Sequence, residues 1–77
     1  MQFLNDSDLY QTIGANLKHF RTKAGLTQVQ LAEKLQISIS YLSKIEAAGC
    51  HKSLSISVLN HIANTLNVNI KDFFQRR

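Results

Sequence analysis

The chain has 77 residues with no proline, three glycines and one cysteine, and each scarcity excludes something. Without proline and with so little glycine, nothing in the sequence interrupts helices, and its apolar residues recur at spacings of three and four rather than two. An all-α domain is expected. The lone Cys50 rules out an intrachain disulfide framework and suits a reducing compartment. No apolar run approaches the length of a membrane span, and the opening MQFLNDSDLY lacks both the basic and the apolar regions of a signal peptide. These absences lead us to expect a soluble, cytoplasmic protein with no membrane partner. A chain this short forms one domain, residues 1–77, and buries only about 60% of its extended surface, so it gains from self-association. No internal repeat, linker or low-complexity segment interrupts it.

Negative charge is scarce where positive charge gathers. The net charge is +4, yet residues 1–17 carry Asp6 and Asp8 and no base. Residues 18–52 carry Lys18, Arg21, Lys23, Lys34, Lys44 and Lys52 against Glu33 and Glu46. A positive middle favours an anionic partner such as nucleic acid or an acidic membrane, although a few Lys on a small domain more often form a solvated face. Catalytic and metal readings fare worse. Adjacent Cys50 and His51 rarely align as nucleophile and base, and a structural zinc site needs about four ligands where the chain offers one cysteine and the scattered His19, His51 and His61. No enzyme activity, metal or cofactor is expected.

The periodicity predicts five helices. In DLYQTIGANLKHFRTKAG, residues Leu9, Ile13, Leu17, Phe20 and Ala24 form one stripe, giving a helix over about 9–24 that Gly25 closes in a left-handed conformation. Gly14 weakens that helix modestly and has no other evident reason. Thr27, with Gln30 three residues on, is a capping box for a helix over 28–35 whose Leu31, Ala32 and Leu35 face inward. Ser38 caps a helix over 39–47. There Tyr41, Leu42 and Ile45 lie on one side, and Ile39, Ser40, Ser43, Lys44 and Ala47 on the other. Ile56, Leu59, Ile62, Ala63 and Leu66 define a helix over 56–66, and Asn69 caps a short one over 70–75 containing Ile70, Phe73 and Phe74.

The stretch RTKAGLTQVQLAEKLQISISYLSKIE resembles the helix-turn-helix of the lambda-repressor-like, or Xre, regulators. The likeness covers about residues 12–74. Its most specific parts are Gly25-Leu26-Thr27-Gln28, Leu31-Ala32 and Ser40-Tyr41-Leu42-Ser43 with Ile45-Glu46. It implies a compact five-helix domain with the helix-turn-helix at helices 2 and 3, and a sequence-specific, double-stranded-DNA-binding repressor or controller protein. It also implies an ion pair between Arg21 and Glu46 that ties the reading helix to the scaffold. Ile39, Ser40, Ser43 and Lys44 are then the base-reading residues, while Gln28, Ser38, His51 and Lys52 contact phosphate.

This chain departs from the family pattern at several places. Ile39 stands where many members have Arg or Gln, and Ala47 where many have a base. Ile39 is suited to a thymine methyl, which leaves specificity to Lys44 and to DNA shape. Gln36 occupies a turn position usually held by glycine in a left-handed conformation, at a cost of roughly 1 kcal/mol.

The family often dimerises through its last helix, so Ile70, Phe73 and Phe74 form the expected homodimer interface, placing two reading helices on half-sites about 34 Å apart. Two alternatives stand beside this reading. The chain could be the DNA-binding fragment of a larger regulator, or an antitoxin-type module whose apolar ends bind a protein partner.

Overall fold

The structure, a computed structural model, describes residues 3–47 and 54–76. It contains four α-helices, α1 (Asp6–Lys23), α2 (Gln28–Leu35), α3 (Ile39–Glu46) and α4 (Ile56–Leu66), followed by a 3-10 helix, Ile70–Phe74. Among the described residues there is no strand. Helix α1 starts three residues before the predicted boundary. Asn5 is extended and its side chain accepts the Asp8 amide at 2.8 Å, so the polar opening segment is a cap rather than a loop. Asp6 and Asp8 then lie in the first turn, where the helix dipole favours negative charge.

Three chain reversals close by one scheme. After α1, Gly25 at φ 77° donates to Thr22 O, and Leu26 donates to Arg21 O. After α2, Gln36 at φ 59° donates to Glu33 O, and Ile37 to Ala32 O. After α4, Asn67 at φ 59° donates to Asn64 O, and Val68 to Ala63 O. Each pair of bonds satisfies carbonyls that the helix end leaves open, and each requires a left-handed residue. Glycine supplies it once, glutamine and asparagine the other two times. The starts are as regular. Thr27 and Gln30 exchange both bonds of a capping box, and the Ser38 and Ser55 hydroxyls accept the Tyr41 and Val58 amides.

The core is one cluster, in which Leu17, Leu31, Leu42, Ile62 and Phe73 are fully enclosed. Helix α1 packs on α3 and on the 3-10 helix, while α2 packs on α3 and α4. Some predicted inward positions differ. Ala24 is exposed because it lies past the last turn of α1, and Ile56, the first residue of α4, is 70% exposed.

The C-terminal end departs most from expectation. The final segment is a 3-10 helix, not an α-helix over 70–75, and Asn69 precedes it without a side-chain capping bond. Phe73 is 0% exposed, with its ring edge-on to Phe20 at 5.5 Å. It therefore has no surface to give a second copy, which corrects its assignment to a dimer interface; Ile70 and Phe74 are half-buried. Asn16, 1% exposed, holds this end of the chain by donating to Phe73 O at 2.8 Å and Gln75 O at 2.7 Å. Gly14 also finds its reason, because α1 there runs against the carbonyls of Ile45 and Glu46.

Candidate nucleic-acid interface

The outer face of α3 is set by what holds its inner face. Leu42 and Ile45 lie in the core, 0% and 2% exposed. At the end of the helix the Glu46 carboxylate receives both sides of the Arg21 guanidinium, Nε to Oε2 at 2.7 Å and Nη2 to Oε1 at 3.1 Å. The third guanidinium nitrogen donates to Leu26 O at 2.8 Å, so one arginine ties α1 to the turn before α2 as well as to α3. Bidentate, largely buried pairs of this kind fix orientation as well as charge. Removing either partner would strand an uncompensated charge.

Gln28 extends the network. Its Nε2 donates to Glu46 Oε1 at 3.1 Å, and its Oε1 accepts the Ser43 hydroxyl at 2.9 Å. This moves two predicted site residues inward. Gln28, expected at a phosphate, has its amide engaged with α3, and Ser43, expected at a base edge, is half-buried with its hydroxyl turned to α2. Glu46, Ser43 and Gln28 thus lock the N-terminus of α2 to the last turns of α3. The clue available in sequence was that Ser43 and Glu46 are three apart and share one side of α3, the side that α2 must face.

The remaining outward residues are Ile39, Ser40 and Lys44 on α3 and Ala47 just after it, all exposed, with Ile39 at 43%. Ser38 is exposed and spends one acceptor position on capping. Val29, in the first turn of α2 and 51% exposed, adds an outward apolar residue that the periodicity did not single out. The backbone N–H groups of this first turn are ones that no helical carbonyl can reach. The face is small, polar and mildly apolar, with Lys44 the one cation on α3. His51 and Lys52, predicted at phosphate, and Cys50 lie outside the described residues. Among the described residues, no group of three or more His, Cys, Asp or Glu side chains could hold a metal ion, and no helix is long and apolar enough to cross a membrane.

Two short helices joined by a left-handed turn, the second presented outward and clamped from behind, define a helix-turn-helix module. The family model described as helix-turn-helix (HTH_3) matches residues 17–73, and the chain belongs to this lambda-repressor-like family. It is similar to the immunity repressor protein of Bacillus phage phi105, with 42% identity over 59 residues, covering 77% of this chain and 40% of that protein. The HTH-type transcriptional regulator SlrR of Bacillus subtilis strain 168 is 37% identical over 62 residues, or 80% of this chain and 40% of the relative. The chain thus spans well under half the length of these two relatives. Among solved structures, the clp gene regulator ClgR from C. glutamicum superposes with a TM-score of 0.78 at 32% identity, covering 86% of this chain and 82% of that one. The restriction-modification controller protein C.AhdI from Aeromonas hydrophila superposes with a TM-score of 0.76 at 25% identity, covering 84% and 96%.

Proposed function

We propose that this domain binds double-stranded DNA as a sequence-specific transcriptional regulator, with α3 in the major groove. The observation that carries the reading is the buried Arg21–Glu46 pair with its extension through Gln28 to Ser43. It gives an otherwise small helix a fixed pose behind an exposed row. Ile39, Ser40 and Lys44 then face the bases, with Ile39 against a thymine methyl. Ser43 supports that row from behind. Phosphate is met by the backbone N–H groups at the start of α2, by Ser38, and by His51 and Lys52 of the following segment. The relatives named as repressor, regulator and controller protein support the same class, and cytoplasmic residence follows from it.

We further propose that the domain works as a dimer, through Ile70 and Phe74 without Phe73. Phe74 borders a small apolar groove with Leu9, Tyr10, Leu54 and the exposed Ile56, which suits pairing between copies. Because the immunity repressor and SlrR are longer than this chain, the domain would equally serve as the DNA-binding part of a larger regulator.

Titration of random and selected duplexes at two salt concentrations tests the main reading. Binding that weakens steeply with salt and prefers the selected site is expected, and absence of binding to either duplex at low salt removes it. Lys44→Ala should cost about 1–3 kcal/mol on the preferred site and relax base preference. Lys52→Ala should weaken all sequences alike. Sedimentation reads the dimer directly, and a monomer at tens of micromolar, roughly the range where weak dimers dissociate, counts against it.

A further inference from the structure

Besides Gly25, one more described glycine is tied to its position, and it is neither in a turn nor at a cap. Gly14 is buried in the middle of α1, where glycine is the weakest ordinary helix former. A methyl carbon there would stand 2.6 Å from the Ile45 carbonyl oxygen and 2.8 Å from that of Glu46, both well inside van der Waals contact. The obstacle is backbone, so no side-chain rotation relieves it. These two carbonyls belong to the last turn of α3, whose final C=O groups have no partner within the helix.

Arg21 lies seven residues further along α1, almost two full turns, and therefore on the same side about 10 Å away. It is the residue that grips Glu46. One face of α1 thus offers the end of α3 both a backbone seat and a side-chain clamp. We propose that Gly14 is a positioning residue for DNA reading: its missing Cβ sets how closely α3 seats on α1, and hence where Ile39, Ser40 and Lys44 stand. This rests on the DNA-binding reading given above.

The geometry explains why a displacement here would be read at the far end. Helix α3 is about 12 Å long, with the fully buried Leu42 near its middle as the pivot. Lifting its last turn tilts its first residues the other way. Base-edge contacts tolerate shifts of only about 0.5 Å, whereas contacts to phosphate through long flexible side chains are more forgiving. Discrimination between sequences should fall before total affinity does.

The test uses Gly14→Ala, with Ala15→Gly at the exposed neighbouring position as control. Alanine is the better helix former, so the first change favours α1 in isolation and the second disfavours it. Affinities for a selected and an unrelated duplex are measured at low salt, and backbone amide resonances of residues 39–47 are followed without DNA. Gly14→Ala is expected to move those resonances and to keep unrelated-duplex binding within about threefold. The ratio of the two affinities should drop about tenfold or more. Ala15→Gly should lower the melting temperature and leave the ratio unchanged. The ratio is independent of how much protein is folded, because both affinities scale with that fraction. Unmoved resonances or an unchanged ratio overturns the proposal. So does a Gly14→Ala chain that does not fold at all, since Gly14 is then a determinant of the fold rather than of the pose. If the resonances move while the wild type binds no DNA, the seat stands and the DNA reading is what fails.

Discussion

Helix α1 solves different problems on two of its sides. On the front it grips the reading pair: Arg21 reaches Glu46, 25 residues away, and Gln28 and Ser43 complete the lock over separations of 18 and 15. On the back it grips the end of the domain. Asn16 reaches Phe73 and Gln75, 57 and 59 residues away, and Asp8 reaches Arg76 across 68. The front is closed by charge and polar side chains around a helix that must hold one pose, the back by one large ring and the backbone carbonyls beside it. A pose needs directional bonds, which fix orientation. Closing a core mainly needs volume.

The comparison breaks most visibly at Phe73. Replacing this fully buried ring with alanine should cost about 3–5 kcal/mol, read as a shifted midpoint in urea, while Phe74→Ala should cost clearly less because Phe74 is only half-buried. Equal costs would mean that the back of the domain is closed by both rings, against the geometry.

At the front, Arg21→Ala should cost about 3 kcal/mol, since it leaves the Glu46 carboxylate buried without its cation. Adding Glu46→Gln to that variant should recover part of the loss, a sign that the stranded charge is the main penalty. If the double variant is as unstable as the sum of the singles, the pair is two independent side chains, and the clamp is lost as an explanation.

The same contrast explains what could be read in advance. The front was legible because its residues announce themselves at short range. Thr27 with Gln30 forms a capping box, Ser38 precedes a helix, Gly25 follows one, and Arg21 and Glu46 match a known pattern. The start of α1 was missed because Asn5 caps it ahead of any apolar residue, so periodicity had nothing to count until Leu9. Position in the chain favours Phe74 over Phe73 as the outer ring, but that Phe73 is wholly enclosed depends on a tight 3-10 turn and on Asn16, a partner far away in the chain. The family resemblance places Gln28 and Ser43 at DNA by their positions on the two helices. That they bond each other instead is a matter of how α2 and α3 cross, which spacing alone does not give.

A finer comparison is available between two turns of equal φ. Gln36 and Asn67 both sit at 59°, but asparagine tolerates the left-handed region better than an ordinary side chain does. Gln36→Gly should therefore stabilise the domain by some tenths to about 1 kcal/mol, and Asn67→Gly by less. Thermal melts of the two variants give the order, and a reversed order would show that the glutamine side chain makes compensating contacts in the folded turn.

The smallest effect belongs to the edge of the back. The Arg76 guanidinium pairs with the Asp8 carboxylate and lies over the Phe3 ring, with its central carbon 5.1 Å from the ring centroid. The bonds from Arg76, followed by the Leu4 amide, hold the Asp8 carboxyl below its usual value of 3.8. A carboxyl that is more acidic in the folded chain than in the unfolded one adds stability that is fully present above the unfolded pKa. That stability is lost as the pH falls through the lower, folded value. The window is therefore below about pH 4. Asp8→Asn should lower the melting temperature slightly at pH 7, and the gap to the wild type should close as the pH drops below 3.8. Both groups are solvent-exposed enough for salt to screen them, so added salt at pH 7 should narrow the gap as well. A gap that persists unchanged into strong acid would assign the loss to helix capping and packing around Asn5 rather than to the ion pair, and the two sides of α1 would then differ in having charge at the front alone.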